Sequence, residues 1–502
     1  IQGIAVSPLG VDTVFVDVSA DGGSNWDPVP AAEATGTSTW SHPWTIPGDG
    51  TYKLRSRAVD SGGTENPGDI VTVTIDSTLP TTSGSLTENE TWSGLVTLTG
   101  DVTVPAGVTL TIQTGTQVLF SPLSDEQSGG NNPERIELIV EGSLNAVGTT
   151  FTSSSSTPSI GDWHGIRVVT SGTSESVTLN GCTVLYGALG VDVRASGAAS
   201  TVAVSITDSV FEHISGTGIL LHGTAGATFD PVTVSDNQVL GVGDHGIYFY
   251  MADAGTDMTS VMNGNTVTDS ADFGVVGHYY THATGTFTLT GNTVSGSGDA
   301  GVRIRTYNSA VSDLTITDNV LTGNGADTAS TERYGLYLWT DVSARSTFTV
   351  AGNRVGIEAD DTTVNGNGTD GIYVYTYNQA VIDGSITGNT LVGNRHGLYA
   401  NHSSNNGFST LLIDGNTSRD NVSYGLYTNA YYSNMNLTLN GNTVHGNTYG
   451  IYARSDSSSG YRLNALIGGN EVRDNSQGGI TCYANRQGQV YPEIRGNLVH
   501  GN

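Results

Sequence analysis

The chain has 502 residues, with 18 basic against 47 acidic side chains and a formal charge of −29. That balance argues against nucleic acid as a partner, because phosphate binding needs clustered Lys and Arg. No long apolar run is present, so no membrane span is expected.

Glycine is abundant, at 68 residues, and only 13% of the chain is charged. Together with many Thr, Ser and Asn residues, this composition favours short strands and tight turns over helices. No signal peptide is visible, and the text begins with Ile1 rather than Met, as in a segment of a longer protein. Cys182 and Cys482 lie far apart in sequence, and no disulfide between them is expected.

Residues 1–80 read as a small β-sandwich. Strands are expected at 13–20 ("TVFVDVSA"), 37–46 ("TSTWSHPWTI"), 51–60 ("TYKLRSRAVD") and 69–76 ("DIVTVTID"). Each alternates apolar and polar residues, and turn clusters such as "DGGSNW" and "PGDG" separate them. The pattern resembles the bacterial immunoglobulin-like domains of surface and secreted proteins, less one strand at the N-terminus. That resemblance implies a spacer or accessory module and brings no catalytic set. Residues 81–85, at the end of "DSTLPTTSGS", are expected to be a linker.

From residue 86 to 502 the chain repeats. Twelve landmark glycines, each before an aliphatic residue, run from Gly165 to Gly479 at a mean spacing of about 28.5 residues. A second series places Asn265, Asn292, Asn319, Asn353, Asn389, Asn416, Asn442, Asn470 and Asn497 in step with them. Asn237, Ser209 and Cys182 hold the same place in earlier repeats. No helical period is present. One repeat fits three short strands and three turns, stacked on the next repeat at about 4.8 Å. An inward Asn at each bend would bond to the Asn above and below it.

The steps "GNTV", "DNVL", "GNTL" and "GNEV" resemble the asparagine-ladder turn of right-handed parallel β-helix proteins of pectin-lyase-like type. "WSGLVTLTGDVTVPAGVTLTIQTGTQVLF" resembles the first coils of bacterial surface β-helix proteins. The expected fold is therefore all-β: a right-handed parallel β-helix solenoid over 86–502, preceded by the immunoglobulin-like sandwich. Both resemblances imply a secreted or cell-surface location. The β-helix fold hosts lyases, hydrolases, adhesins and inert fibres, so it does not by itself assign an activity.

Applying the period of two to the strand after each landmark Gly puts two rows on one outer flank. Tyr248, Arg303, Tyr337, Tyr373, Tyr399 and Tyr427 fall in the first row. Tyr250, His278, Arg305, Trp339 and Tyr375 fall in the second. Flat aromatic rings with Arg and Asn suit a glycan, or a partner chain, on this flank. Stacking that merely stabilises the sheet accounts for the same tyrosines.

Two repeats are longer than the rest, through insertions at 325–333 and 356–370, and both should overhang that flank. Asp244, Asp272 and Asp299 each stand two residues before a landmark Gly. Stacked carboxylates of this kind hold a cation such as Ca²⁺, or splay into water. Glu358, Asp360 and Asp361 of the second insertion are further candidates for the same ion.

Resemblance to β-helix lyases implies a Lys or Arg base, yet the only lysine is Lys53, outside the repeats. His278, Arg303 and Arg305 are the catalytic candidates that remain. The clustered-carboxylate pattern of β-helix hydrolases is missing. The reading is an extracellular scaffold or adhesin whose aromatic and Arg face binds a polysaccharide or cell-surface glycan, with no obligatory cofactor. A polysaccharide lyase or glycoside hydrolase is the first alternative. The second is a fibre subunit that packs on copies of itself.

Overall fold

A computed structural model describes residues 1–44, 48, 50–75, 80–404 and 407–502. The chain divides into two compact units, Ile1–Pro80 and Thr81–Asn502.

The first unit is antiparallel. Strands Thr13–Ser19, Asp27–Glu33, Gly50–Asp60, Gly63–Thr64 and Val71–Ile75 share one sheet, and Gln2–Ile4 pairs with Thr39–Ser41 in a second. Val14, Val16 and Trp40 form its small core. Buried Asp17 is held by Arg55 at 2.9 Å and Arg57 at 2.7 Å, which satisfies a charge that would be costly alone. The end of the expected strand 37–46, the last residue of 69–76, and residues 76–79 before the expected linker lie outside the described residues.

The second unit is a right-handed parallel solenoid. Among the described residues, three parallel sheets of fifteen strands each run its length. Each coil adds one strand to the first sheet (Ile372–Tyr377, for example), one to the second (Val381–Thr387) and one to the third (Thr390–Val392). Residues 81–85 are no tether. Gly84–Ser85 is the opening strand of the first sheet, paired with Val102–Thr103, and the Thr81 amide donates to Glu90 at 3.0 Å. The backbone groups of this short segment find partners in the solenoid, which draws it into the first coil.

Inward aliphatics form one continuous core along the solenoid, Ile372 and Val374 among them. The ladder at the second bend is complete: each Asn amide from Asn237 to Asn470 donates to the Asn carbonyl of the next coil at 2.8–3.0 Å. Ser209 and Cys182 continue it through backbone amides at 3.0 Å. The residue before each ladder Asn lies in the left-handed region, as at Gly388 (φ 62°) and Asp318 (φ 57°). Gly, Asp and Asn tolerate that region best, which explains the repeated "GN" and "DN" steps.

A second ladder stands at the third bend, unforeseen from sequence. Asn324, Asn367, Asn394, Asn421, Asn447, Asn475 and Asn502 are joined coil to coil, by side-chain amides except at Asn394, whose backbone amide donates to the Asn421 side-chain carbonyl at 3.0 Å. The landmark Gly beside it is required by close approach. A Cβ on Gly371 would lie 2.7 Å from the Gly397 carbonyl and 2.9 Å from the Asn394 amide. Both cysteines are free thiols.

Candidate functional site

The parallel register brings the two outer rows of the first sheet together as expected. Tyr248, Val276, Arg303, Tyr337, Tyr373, Tyr399, Tyr427 and Tyr452 are paired coil to coil, as are Tyr250, His278, Arg305, Trp339 and Tyr375. A third outer row follows two residues on, with Tyr280, Tyr307, Asp341 and Tyr377. The same period of two, carried one step further, would have found it.

The rows differ in how they present their rings. In the first, Tyr337 and Tyr373 stack at 5.0 Å, Tyr373 and Tyr399 lie 5.1 Å apart, and Tyr399 and Tyr427 stack at 4.8 Å. Tyr337 is only 5% exposed. These ring faces cover one another, and the ladder serves the sheet itself. Burial accordingly raises the phenol pKa of Tyr337 and Tyr373. The second and third rows are more open, and Tyr377 is 46% exposed.

Two arginines interrupt the tyrosines. Arg305 donates to the Tyr280 hydroxyl at 2.9 Å, and its guanidinium carbon lies 3.8 Å from the Trp339 ring centroid and 4.6 Å from that of Tyr307. Asp341 approaches it at 3.8 Å. Arg303 pairs with Glu332 at 2.5 Å, lies 4.5 Å from the Phe273 ring and donates to His278 Nε2. With Nε2 accepting, the neutral imidazole carries its proton on Nδ1, which faces the Tyr248 hydroxyl at 3.4 Å. Burial, then the nearby Arg303 and Arg305, hold the His278 pKa down to about 3. Beside these groups lies a shallow pocket of about 220 Å³ lined by Arg194, Leu220, His222, Tyr248 and Tyr250.

The model of the right handed beta helix region matches residues 164–355 and 346–502. This chain belongs to the right-handed β-helix family. Among solved structures, the β-helix is similar to the crystal structure of the periplasmic alginate epimerase AlgG, with 14% identity, 81% of this chain and 78% of that chain covered, and a TM-score of 0.45. No curated protein matches.

The insertions of this β-helix part company. Residues 325–333 reach the flank: Glu332 binds Arg303, and Tyr334, just beyond, packs on Tyr337 and Tyr373 at 4.9 Å each. Residues 356–370 turn back on themselves through a bridge from Ile357 to Val364. There Asp360 accepts from the Thr362 and Thr363 amides, and Asp361 pairs with Arg354 at 2.7 Å. Glu358 lies near Asn365, 3.4 Å away. These acids bond within their own hairpin or, for Asp361, to Arg354 on the strand that precedes it.

At the preceding corner, Asp244 and Asp272 meet His245, each offering a ligand atom within 4.8 Å of the others. Asp299 is not in that group. An imidazole in the set suits a transition metal better than Ca²⁺, which takes oxygen ligands. Burial and the bond to Asp244 raise the Asp272 pKa. His245 and Tyr334 stand directly before a landmark Gly, as do His396 and Tyr424, and sequence reading passed over this corner row. Glu332 lies in an aperiodic insertion, where no sequence signal exists.

Proposed function

We propose that this protein is an extracellular or cell-surface β-helix that binds a polysaccharide along the outer face of its first sheet and acts there as a scaffold without catalysis. The observation that carries this reading is the group of Arg305, Trp339, Tyr280 and Tyr307, continued by half-exposed Tyr375 and exposed Tyr377. Apolar sugar faces pack on rings, and hydroxyls bond to Arg, Asp and Asn side chains. Asn429 and Asn401, joined at 3.0 Å, extend the polar part of the face by two coils. Mobility-shift electrophoresis in polysaccharide-containing gels tests the reading. Retardation that weakens in Trp339→Ala and Tyr375→Ala supports it, and equal mobility in every polymer sinks it.

A polysaccharide-modifying activity is the second reading, favoured by the meeting of His278, Arg303, Glu332 and Tyr248. Against it, Arg303 is already engaged by the Glu332 carboxylate at 2.5 Å and is poorly placed to reach a substrate proton. New reducing ends or double bonds that vanish in Arg303→Ala and His278→Ala would make this the better reading. A divalent cation at Asp244, His245 and Asp272 belongs to neither reading by necessity. A Tm that rises with added metal and is lost in Asp272→Asn would establish it.

A further inference from the structure

We infer that the polymer taken by this face is a neutral, hydroxyl-rich polysaccharide and not a polyuronate. The inference rests on the carbohydrate-binding reading and narrows it.

A uronate needs a cation that is free to meet its carboxylate. The arginines on the face are already answered by acids of this chain. Arg303 is paired with Glu332 at 2.5 Å, and Arg305 lies 3.8 Å from Asp341. The pattern recurs at both ends of the flank, where Arg194 meets Asp192 at 2.8 Å and Arg454 pairs with Asp456. These partners come from three different places: the same strand, a neighbouring coil and an inserted loop. Compensation thus extends along the outer rows of the face and does not arise from one local motif.

Asp192, Asp341 and Asp456 are themselves buried, so they stay with their arginines when a ligand arrives. A uronate carboxylate placed on Arg303 or Arg305 would sit beside Glu332 or Asp341 and meet like charge. The formal charge of −29 adds repulsion at long range. A sugar hydroxyl, by contrast, both donates and accepts. An Arg–Asp pair offers it a charged donor and a charged acceptor side by side, and the rings beside the pair take the apolar sugar face.

The test uses the full chain in native gels containing either neutral polymers (glucan, mannan, galactan) or polyuronates (alginate, polygalacturonate), at low ionic strength where charge effects are largest. Retardation by at least one neutral polymer and by neither polyuronate is expected, with about tenfold weaker binding in Tyr375→Ala. The double variant Glu332→Gln, Asp341→Asn should gain polyuronate binding that added salt removes. Its Tm and circular dichroism show whether it is folded, and the wild-type pattern decides the question without it. Retardation of the wild type by a polyuronate overturns this inference and leaves the carbohydrate-binding reading intact. A folded double variant that gains nothing overturns the compensation argument. If no polymer of either class retards the wild type, the carbohydrate-binding reading falls, and this inference with it.

Discussion

The guanidinium carbon of Arg305 lies 3.8 Å from the centroid of the Trp339 ring on the next coil. This contact joins the aromatic group of Tyr280 and Tyr307 to that of Tyr375 and Tyr377. A desolvated cation–π pair contributes roughly 1–2 kcal/mol. Trp339→Ala should therefore lower stability by about that amount, read as a fall in Tm, and weaken polymer binding about tenfold. Trp339→Tyr, which keeps a ring under the cation, should retain most of both.

Stability should fall as acid is added, in a window set by buried histidines. His278 is held neutral down to about pH 3, and His396 and His402 to about pH 4, against an ordinary value of 6.5. Their folded pKa values are depressed, so their contribution is present above pH 6.5 and is lost as pH falls toward 3–4. Asp370 works in the opposite sense. Burial raises it to about 7 from 3.8, so its contribution is full below pH 3.8 and lost as pH rises through about 7. Melts across this range should show His278→Gln with a shallower acid fall, and Asp370→Asn more stable than wild type above neutral pH.

Breaking one rung of the first asparagine ladder should be costly. Asn389 accepts from both the side-chain and backbone amides of Asn353 at 2.9 Å, inside the core. Asn389→Ala leaves these donors unmet at about 1–3 kcal/mol for each group. Asn440→Ala removes an exposed bond to Asp414 and should change stability by less than about 0.5 kcal/mol. Denaturant melts of the two variants make the comparison.

Gly277 faces the core where Phe249 leans across from the coil before. A Cβ there would lie 1.9 Å from the Phe249 ring. Gly277→Ala should cost about 1–3 kcal/mol by overpacking. Phe249→Leu in the same chain should recover part of the loss, which a double-mutant cycle would detect.

The repeat, the first asparagine ladder and both outer rows were legible because a solenoid writes its contacts as a period. A residue meets its counterpart about one repeat away, so spacing alone predicts that Tyr373 stands beside Tyr399. The second ladder had the same kind of signal, an Asn five residues after that of the first, as at Asn389 and Asn394. It was missed because its serine predecessors, Ser270 and Ser297, interrupt the pattern early in the chain.

Sequence by itself determined the fold class, the inward and outward faces, and the flank on which function should be sought. These follow from local alternation and a fixed repeat, and both are one-dimensional properties. Only the tertiary structure decided what the side chains do on that flank. It turned the first-row tyrosines into a self-covering ladder, brought Glu332 from an aperiodic loop onto Arg303, and set Asp341 beside Arg305. Ring orientation and charge pairing depend on rotamers and loop paths, which no spacing in the chain encodes.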